Sequence, residues 1–247
     1  MKRQQKSVSP IVEQGKNKSN RYDGINPHPP DALKFELRSQ FQRDVIKSIH
    51  RNHVTAMIGA AGSAKTLLAA YGGMQLMHKH EVKKIAVVRI ARESYYENIG
   101  ALPGTVSDKL SYISAPIFDN LELMMPRMDI EKWVDQNQLE ILPVSHLRGR
   151  SLHDCYLIVE EAQNLPREVI LTILTRIAAG SKIVITCDPL QQDFGSYNSS
   201  EWLQHLLTEV DGCKVFKMPE AETYRHPIIP QILANATKYE KHYAPTH

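Results

Sequence analysis

Residues 54–66 read VTAMIGAAGSAKT and continue through residue 77 as LLAAYGGMQLM. Val54–Ile58 has the length and apolar content of a buried strand. A Gly- and Ala-rich loop follows directly, and residues 64–80 then repeat apolar side chains at helical spacing. Strand, glycine-rich turn and helix, in that order, are what a phosphate-binding loop requires. Its backbone N–H groups curl around an anion, and the helix N-terminus adds positive potential. In such a loop Gly59, Ala60, Ala61, Gly62, Ser63 and Ala64 form the cradle. Lys65 reaches the outer phosphates, and the Thr66 hydroxyl ligates Mg²⁺. The usual pattern is G-x-x-x-x-G-K-[ST], and Ala64 stands at its second glycine. An alanine fits there with a negative φ, as expected at a helix start.

The pattern extends outward from this unit. Apolar strand-like runs at residues 84–90, 139–144, 156–160, 182–187 and 213–217 alternate with helical stretches at 168–179, 201–210 and 227–239. Such alternation predicts an α/β domain with a mostly parallel sheet and helices on both faces.

Two of these strands end in candidate chemistry. The run Tyr156–Val159 leads into Glu160-Glu161-Ala162-Gln163-Asn164, placing two acids at a strand's C-terminal edge, where open α/β sheets bind ligands. Adjacent strand residues face opposite ways, so the acids divide the work. One holds Mg²⁺, and the other orients and deprotonates an attacking water. The second strand ends in Thr186-Cys187-Asp188-Pro189-Leu190-Gln191, which by itself reads as turn chemistry.

Composition narrows the class. The 247 residues are 42% hydrophobic and 23% charged, as in an ordinary globular protein. No apolar run approaches the roughly 18 residues of a membrane span, and residues 1–20 lack a signal-peptide core. Cys155, Cys187 and Cys213 are far apart and read as reduced, buried thiols of a cytoplasmic protein. The net charge is +3. Six basic against two acidic residues give +4 over residues 1–25, leaving −1 for the rest. Residues 1–30 therefore read as a disordered basic tail and 31–247 as the folded domain.

In these motifs the chain resembles the ATPase domain of PhoH-like proteins, relatives of superfamily 1 helicases. The resemblance covers roughly residues 35–240 and rests on an ordered series. Gln42 lies seventeen residues before Gly59, and GAAGSAKT is followed by VVRI at 87–90, LPG at 102–104, Lys109 and PIFDNL at 116–121. LRGRSL at 147–152, EEAQN at 160–164, LTRIAAGSK at 174–182, TCDPLQQD at 186–193 and YRHP at 224–227 complete it.

The resemblance implies a RecA-like P-loop NTPase fold and a set of roles. Gln42 would read the adenine edge, Glu160 would hold Mg²⁺ and Glu161 would be the hydrolytic acid. Gln191 would sense the γ-phosphate, and Arg225 would act as an arginine finger. Arg89, Arg148 and Arg150 would contact phosphate or nucleic acid, with a structural ion pair as the equal rival for each. The implied activity is Mg²⁺-dependent ATP hydrolysis coupled to single-stranded RNA or another nucleic acid. One RecA-like core fits the length, so coupling implies a homo-oligomeric ring, a hexamer. The alternative is a nucleotide-regulated binding module with little or no turnover. Ala64, Glu160 in place of the family's usual Asp, and Cys187 in place of its glycine mark a divergent member, of the kind bacteriophages carry, acting in host cytoplasm.

Overall fold

The computed structural model describes residues 35–89, 116–147, 149–191 and 199–219, with residues 228, 231, 232, 234 and 235 in helical conformation. Expectations for residues 1–30, LPG at 102–104, Lys109, Arg148 and YRHP at 224–227, including Arg225, lie outside the described residues.

Helix α1 (Gln40–Arg51) leads into strand β1 (Val54–Ile58), and the phosphate-type loop joins β1 to helix α2 (Lys65–His78). Strand β2 (Lys84–Arg89), helix α3 (Arg127–Asp135) and strand β3 (Leu139–Leu142) follow. Strand β4 (Cys155–Glu160), helix α4 (Arg167–Leu174) and strand β5 (Lys182–Cys187) come next, then helix α5 (Ser199–Thr208) and strand β6 (Cys213–Lys217). Among the described residues six strands form one sheet in the order β3-β2-β4-β5-β1-β6, with every pairing parallel. This is the expected RecA-like arrangement of a parallel sheet between helices.

The period-2 alternation of side chains splits the core in two. On β4, Tyr156 and Ile158 join one cluster with Val45 and Ile49 of α1, Leu68 and Met74 of α2, and Trp133 of α3. Leu157 and Val159 join the other, with Ile170 and Ile173 of α4 and Leu203 and Leu207 of α5. All residues of β1 and β4 are buried, as expected of strands covered on both faces. Among the described residues no helix is long and apolar enough to cross a membrane.

Three differences from the sequence expectation have local causes. The helix expected at 168–179 stops at Leu174, because Leu152 N–H donates to Arg176 O (2.9 Å) and Asp154 N–H to Ala179 O (3.1 Å). This non-local pairing pulls residues 176–179 alongside the segment before β4. Strand β3 ends at Leu142 because Pro143 follows. Helix α3 and the helical residues 116–122 are additional to the expected elements.

The glycines of α2 are what bring it down onto the sheet. A Cβ at Gly73 would stand 2.7 Å from the Tyr156 ring, and one at Gly72 would stand 2.9 Å from Ile49 Cδ1. Tyr156 is fully buried, and its hydroxyl donates to Ala69 O (2.9 Å). Gly73→Ala gains about 1 kcal/mol of helix propensity. Overpacking against the fixed ring costs about 1–3 kcal/mol. The expected result is a lower thermal midpoint despite the better helix former, and a higher one would contradict this packing.

Candidate active site

The loop between β1 and α2 is rooted in the sheet. Gly59 N–H donates to Cys187 O (3.0 Å), and Met218 N–H donates to Ile58 O (2.7 Å). A Cβ at Gly59 would lie 2.5 Å from Met218 Cβ, so this position requires glycine. Ser63 is buried, and its hydroxyl donates to Ala60 O (2.8 Å), closing the loop on itself. Lys65 Nζ donates to Gly59 O (2.6 Å) and Ala60 O (2.9 Å), spanning the loop's mouth.

Ala64 corrects the sequence expectation. It is left-handed, with φ 61° and ψ 18°, rather than at negative φ. Gly62 is also at positive φ, 84°. Residues of alternating hand turn successive N–H groups toward a common centre, which is how a backbone nest for anions is built. Glycine holds the left-handed conformation without strain, whereas alanine carries roughly 1–2 kcal/mol.

Across the site stand the ends of β4 and β5. A cavity of about 410 Å³ is lined by Ala61, Gly62, Ala64, Lys65, Thr66, Glu160, Glu161 and Gln191, among others. It therefore gathers most of the residues singled out from sequence. Gln42 is not in its lining. It is 1% exposed on α1, and its Oε1 accepts the Arg38 N–H (2.8 Å) while Ser39 Oγ accepts the Gln42 N–H (3.1 Å). Ser39 thus caps α1, and the Gln42 amide reaches back one residue beyond the cap, a variant of the capping box. Arg150 is exposed, and the Arg89 backbone pairs with Glu160 in the β2–β4 register.

The two acids differ in setting. Glu160 closes β4 and is 3% exposed. Glu161 leaves the strand in a left-handed conformation, φ 55° and ψ 42°, which re-aims the chain at the cavity. Its Oε2 accepts a 2.6 Å hydrogen bond from Gln163 Nε2. Gln163, 2% exposed, also accepts from Asp188 N–H through Oε1 (2.9 Å) and donates to Gln191 O (3.4 Å). One buried amide thus fastens the acid to the β5 turn. Sequence reasoning gave Gln163 no role, although its place two residues after the acid was visible. It also gave none to Asn120, which lines the cavity and donates to Pro116 O (2.6 Å).

Among the described residues no group of three or more His, Cys, Asp or Glu is disposed to hold a metal. Mg²⁺ needs no such group, because one or two carboxylates plus substrate phosphates suffice. Glu160 and Thr66, both in the cavity lining, fit that donor set.

A family model described as "PhoH-like protein" matches residues 34–237. The chain belongs to the PhoH family. It is 33% identical over 194 residues to a PhoH-like protein of Synechocystis, covering 78% of this chain and 59% of that one. A PhoH-like protein of Bacillus subtilis is 31% identical over 201 residues, covering 81% and 63%. This PhoH-family chain thus spans about three fifths of the length of these relatives. Among solved structures, the large terminase of a thermophilic bacteriophage is similar with a TM-score of 0.49. It is 13% identical, over 84% of this chain and 50% of that one.

All three cysteines are free, Cys155 and Cys187 buried and Cys213 half-buried. Burial first, then the charges of Asp188 and Glu161 against the opposing pull of Lys65, push the Cys187 thiol up to about 12. Burial pushes Cys155 up to about 11. Alkylation of the folded chain near pH 8 is expected to reach Cys213 first and to spare Cys155 and Cys187 until denaturation. Rapid modification of Cys187 in the folded state would contradict its burial.

The strain at Ala64 makes a second prediction. Ala64→Gly is expected to stabilise the chain by about 1 kcal/mol, raising the thermal midpoint by roughly 2–4 °C. A lower midpoint would mean that the loop does not hold this residue left-handed.

Proposed function

We infer that the cavity binds ATP with Mg²⁺ and that the chain hydrolyses it. The observation that carries this reading is the position of the phosphate-type loop opposite two acids, with one of those acids fastened by Gln163. Backbone N–H groups of residues 60–66 and the N-terminus of α2 receive the phosphates, and Lys65 supplies the neutralising cation. Thr66 and Glu160 would hold Mg²⁺, which when bound offsets charge on the outer phosphate oxygens. Glu161 takes the proton of the attacking water, and Gln163 holds its carboxylate in place. Gln191, at the end of the β5 turn, is assigned to sensing the terminal phosphate; the family resemblance alone assigns Gln42, outside the cavity lining, to the adenine edge.

The finer parts of the proposal are supported by the family resemblance. Arg225 would serve as an arginine finger, in its own chain or across a subunit boundary. Single-stranded RNA, or another nucleic acid, would be the partner, and a hexameric ring in the cytoplasm would be the working assembly. The strained Ala64 favours a second reading, a nucleotide-regulated binding module with little or no turnover.

Lys65→Ala is expected to abolish binding of labelled ATP. Glu161→Gln is expected to keep Mg²⁺-dependent ATP binding while phosphate release falls by roughly 10²–10⁴-fold. Phosphate release measured with and without single-stranded RNA separates the two readings. Unchanged ATP affinity in Lys65→Ala would overturn the phosphate-loop assignment.

A further inference from the structure

Asn120 has no part in the roles above, yet it lines the cavity with Thr66, Leu67 and Glu160. The stretch PIFDNL supplies the helical residues 116–121, and a spacing of four sets its two sides. Ile117 and Leu121 are buried in the cluster that holds Leu68 and Met74 of α2 and Tyr156 and Ile158 of β4. Pro116 and Asn120, one residue earlier on each turn, line the cavity instead. Glu160 falls in step with Tyr156 and Ile158 along β4, so it leaves the sheet on this same face. Helix α2, whose first turn carries Thr66, packs on that face as well. Thr66, Glu160 and Asn120 therefore come from three elements to one side of one cavity.

The Asn120 amide is held before any ligand arrives. Its Nδ2 donates to Pro116 O (2.6 Å), one turn back along the helix. That bond leaves Oδ1, a neutral acceptor, for the cavity. Phosphate oxygens are acceptors themselves, so Oδ1 suits a donor. Mg²⁺ bound by carboxylate and phosphate oxygens keeps several of its waters, and these are donors. Resting on the reading of this cavity as a Mg²⁺–nucleotide site, we propose that Asn120 is a positioning residue for the metal. Its Oδ1 accepts from a metal-bound water on the side of Thr66 and Glu160. The bond to Pro116 and the buried Ile117 and Leu121 fix the acceptor in advance, so little ordering remains to be done on binding. Thr66 and Glu160 stay the direct ligands, and Asn120 orients what surrounds them.

The test is equilibrium binding of a fluorescent β,γ-imido ATP analogue to the full chain, titrated with Mg²⁺ and repeated in EDTA. Asn120→Ala removes the oxygen and the donor together. Asn120→Asp keeps an oxygen, adds charge and loses the donor to Pro116 O. The two variants are expected to part company. Asn120→Ala should need about three- to tenfold more Mg²⁺ for half-maximal binding, the worth of one lost hydrogen bond, and bind like the wild type in EDTA. Asn120→Asp should need no more Mg²⁺ than the wild type. An upward shift in both variants would assign Asn120 to bracing its helix and overturn the proposal. Equal losses in Asn120→Ala with and without Mg²⁺ would overturn it in favour of direct contact with the nucleotide. Circular dichroism checks the fold, and if Asn120→Ala unfolds, the direction of the Asn120→Asp shift decides alone. Mg²⁺-dependent binding that neither variant shifts defeats this inference only. If the wild-type chain binds no nucleotide, or binds it regardless of Mg²⁺, the reading of the cavity fails and this inference fails with it.

Discussion

The site depends on a spacing set by the sheet. Strand β5 lies between β1, which carries the loop, and β4, which carries the acids. Two inter-strand steps of about 4.8 Å hold loop and acids roughly 10 Å apart. That gap is wide enough for the phosphate group, metal and water of the proposed reaction, and it would close if β1 and β4 paired directly. The side chain of Gln163 spans the β4–β5 half of that interval, from Glu161 to Asp188 and Gln191. The backbone of the sheet sets the distance, and one buried amide fixes the acid against the β5 turn.

Strain collects at the two ends of this span. Ala64 and Glu161 are both left-handed, on opposite sides of the cavity. Neither is glycine, so both conformations are imposed by their surroundings. At Ala64 the loop must turn its N–H groups inward. At Glu161 the chain must leave a buried strand and present a carboxylate at its edge. The glycines that remain have different work. Gly59 and Gly73 remove side chains where Met218 and Tyr156 already fill the space.

Much of this is legible in the chain because it is local. Val54–Ile58 and Lys182–Cys187 are readable from uninterrupted apolar runs, and Gly59–Thr66 from its position between strand and helix. The residues in the cavity lining, Lys65, Thr66, Glu160, Glu161 and Gln191, sit in motifs whose spacing is visible in one dimension. What is not legible depends on partners distant in sequence. The end of α4 at Leu174 follows from pairing with Leu152 and Asp154. The role of Gln163 follows from its meeting the Asp188 backbone across 25 residues. The φ of Ala64 escapes a sequence reading because a helix start alone permits the ordinary conformation, and only the closed loop forbids it.

The most direct test of the whole arrangement is a crystal structure of the chain with ADP, Mg²⁺ and aluminium fluoride, which imitates the transferring phosphoryl group. The fluoride complex is expected between the phosphate-type loop and Glu161, with Mg²⁺ on Thr66 and the Glu160 side. Nucleotide phosphates bound outside this cavity, or a fluoride complex remote from Glu161, would contradict it.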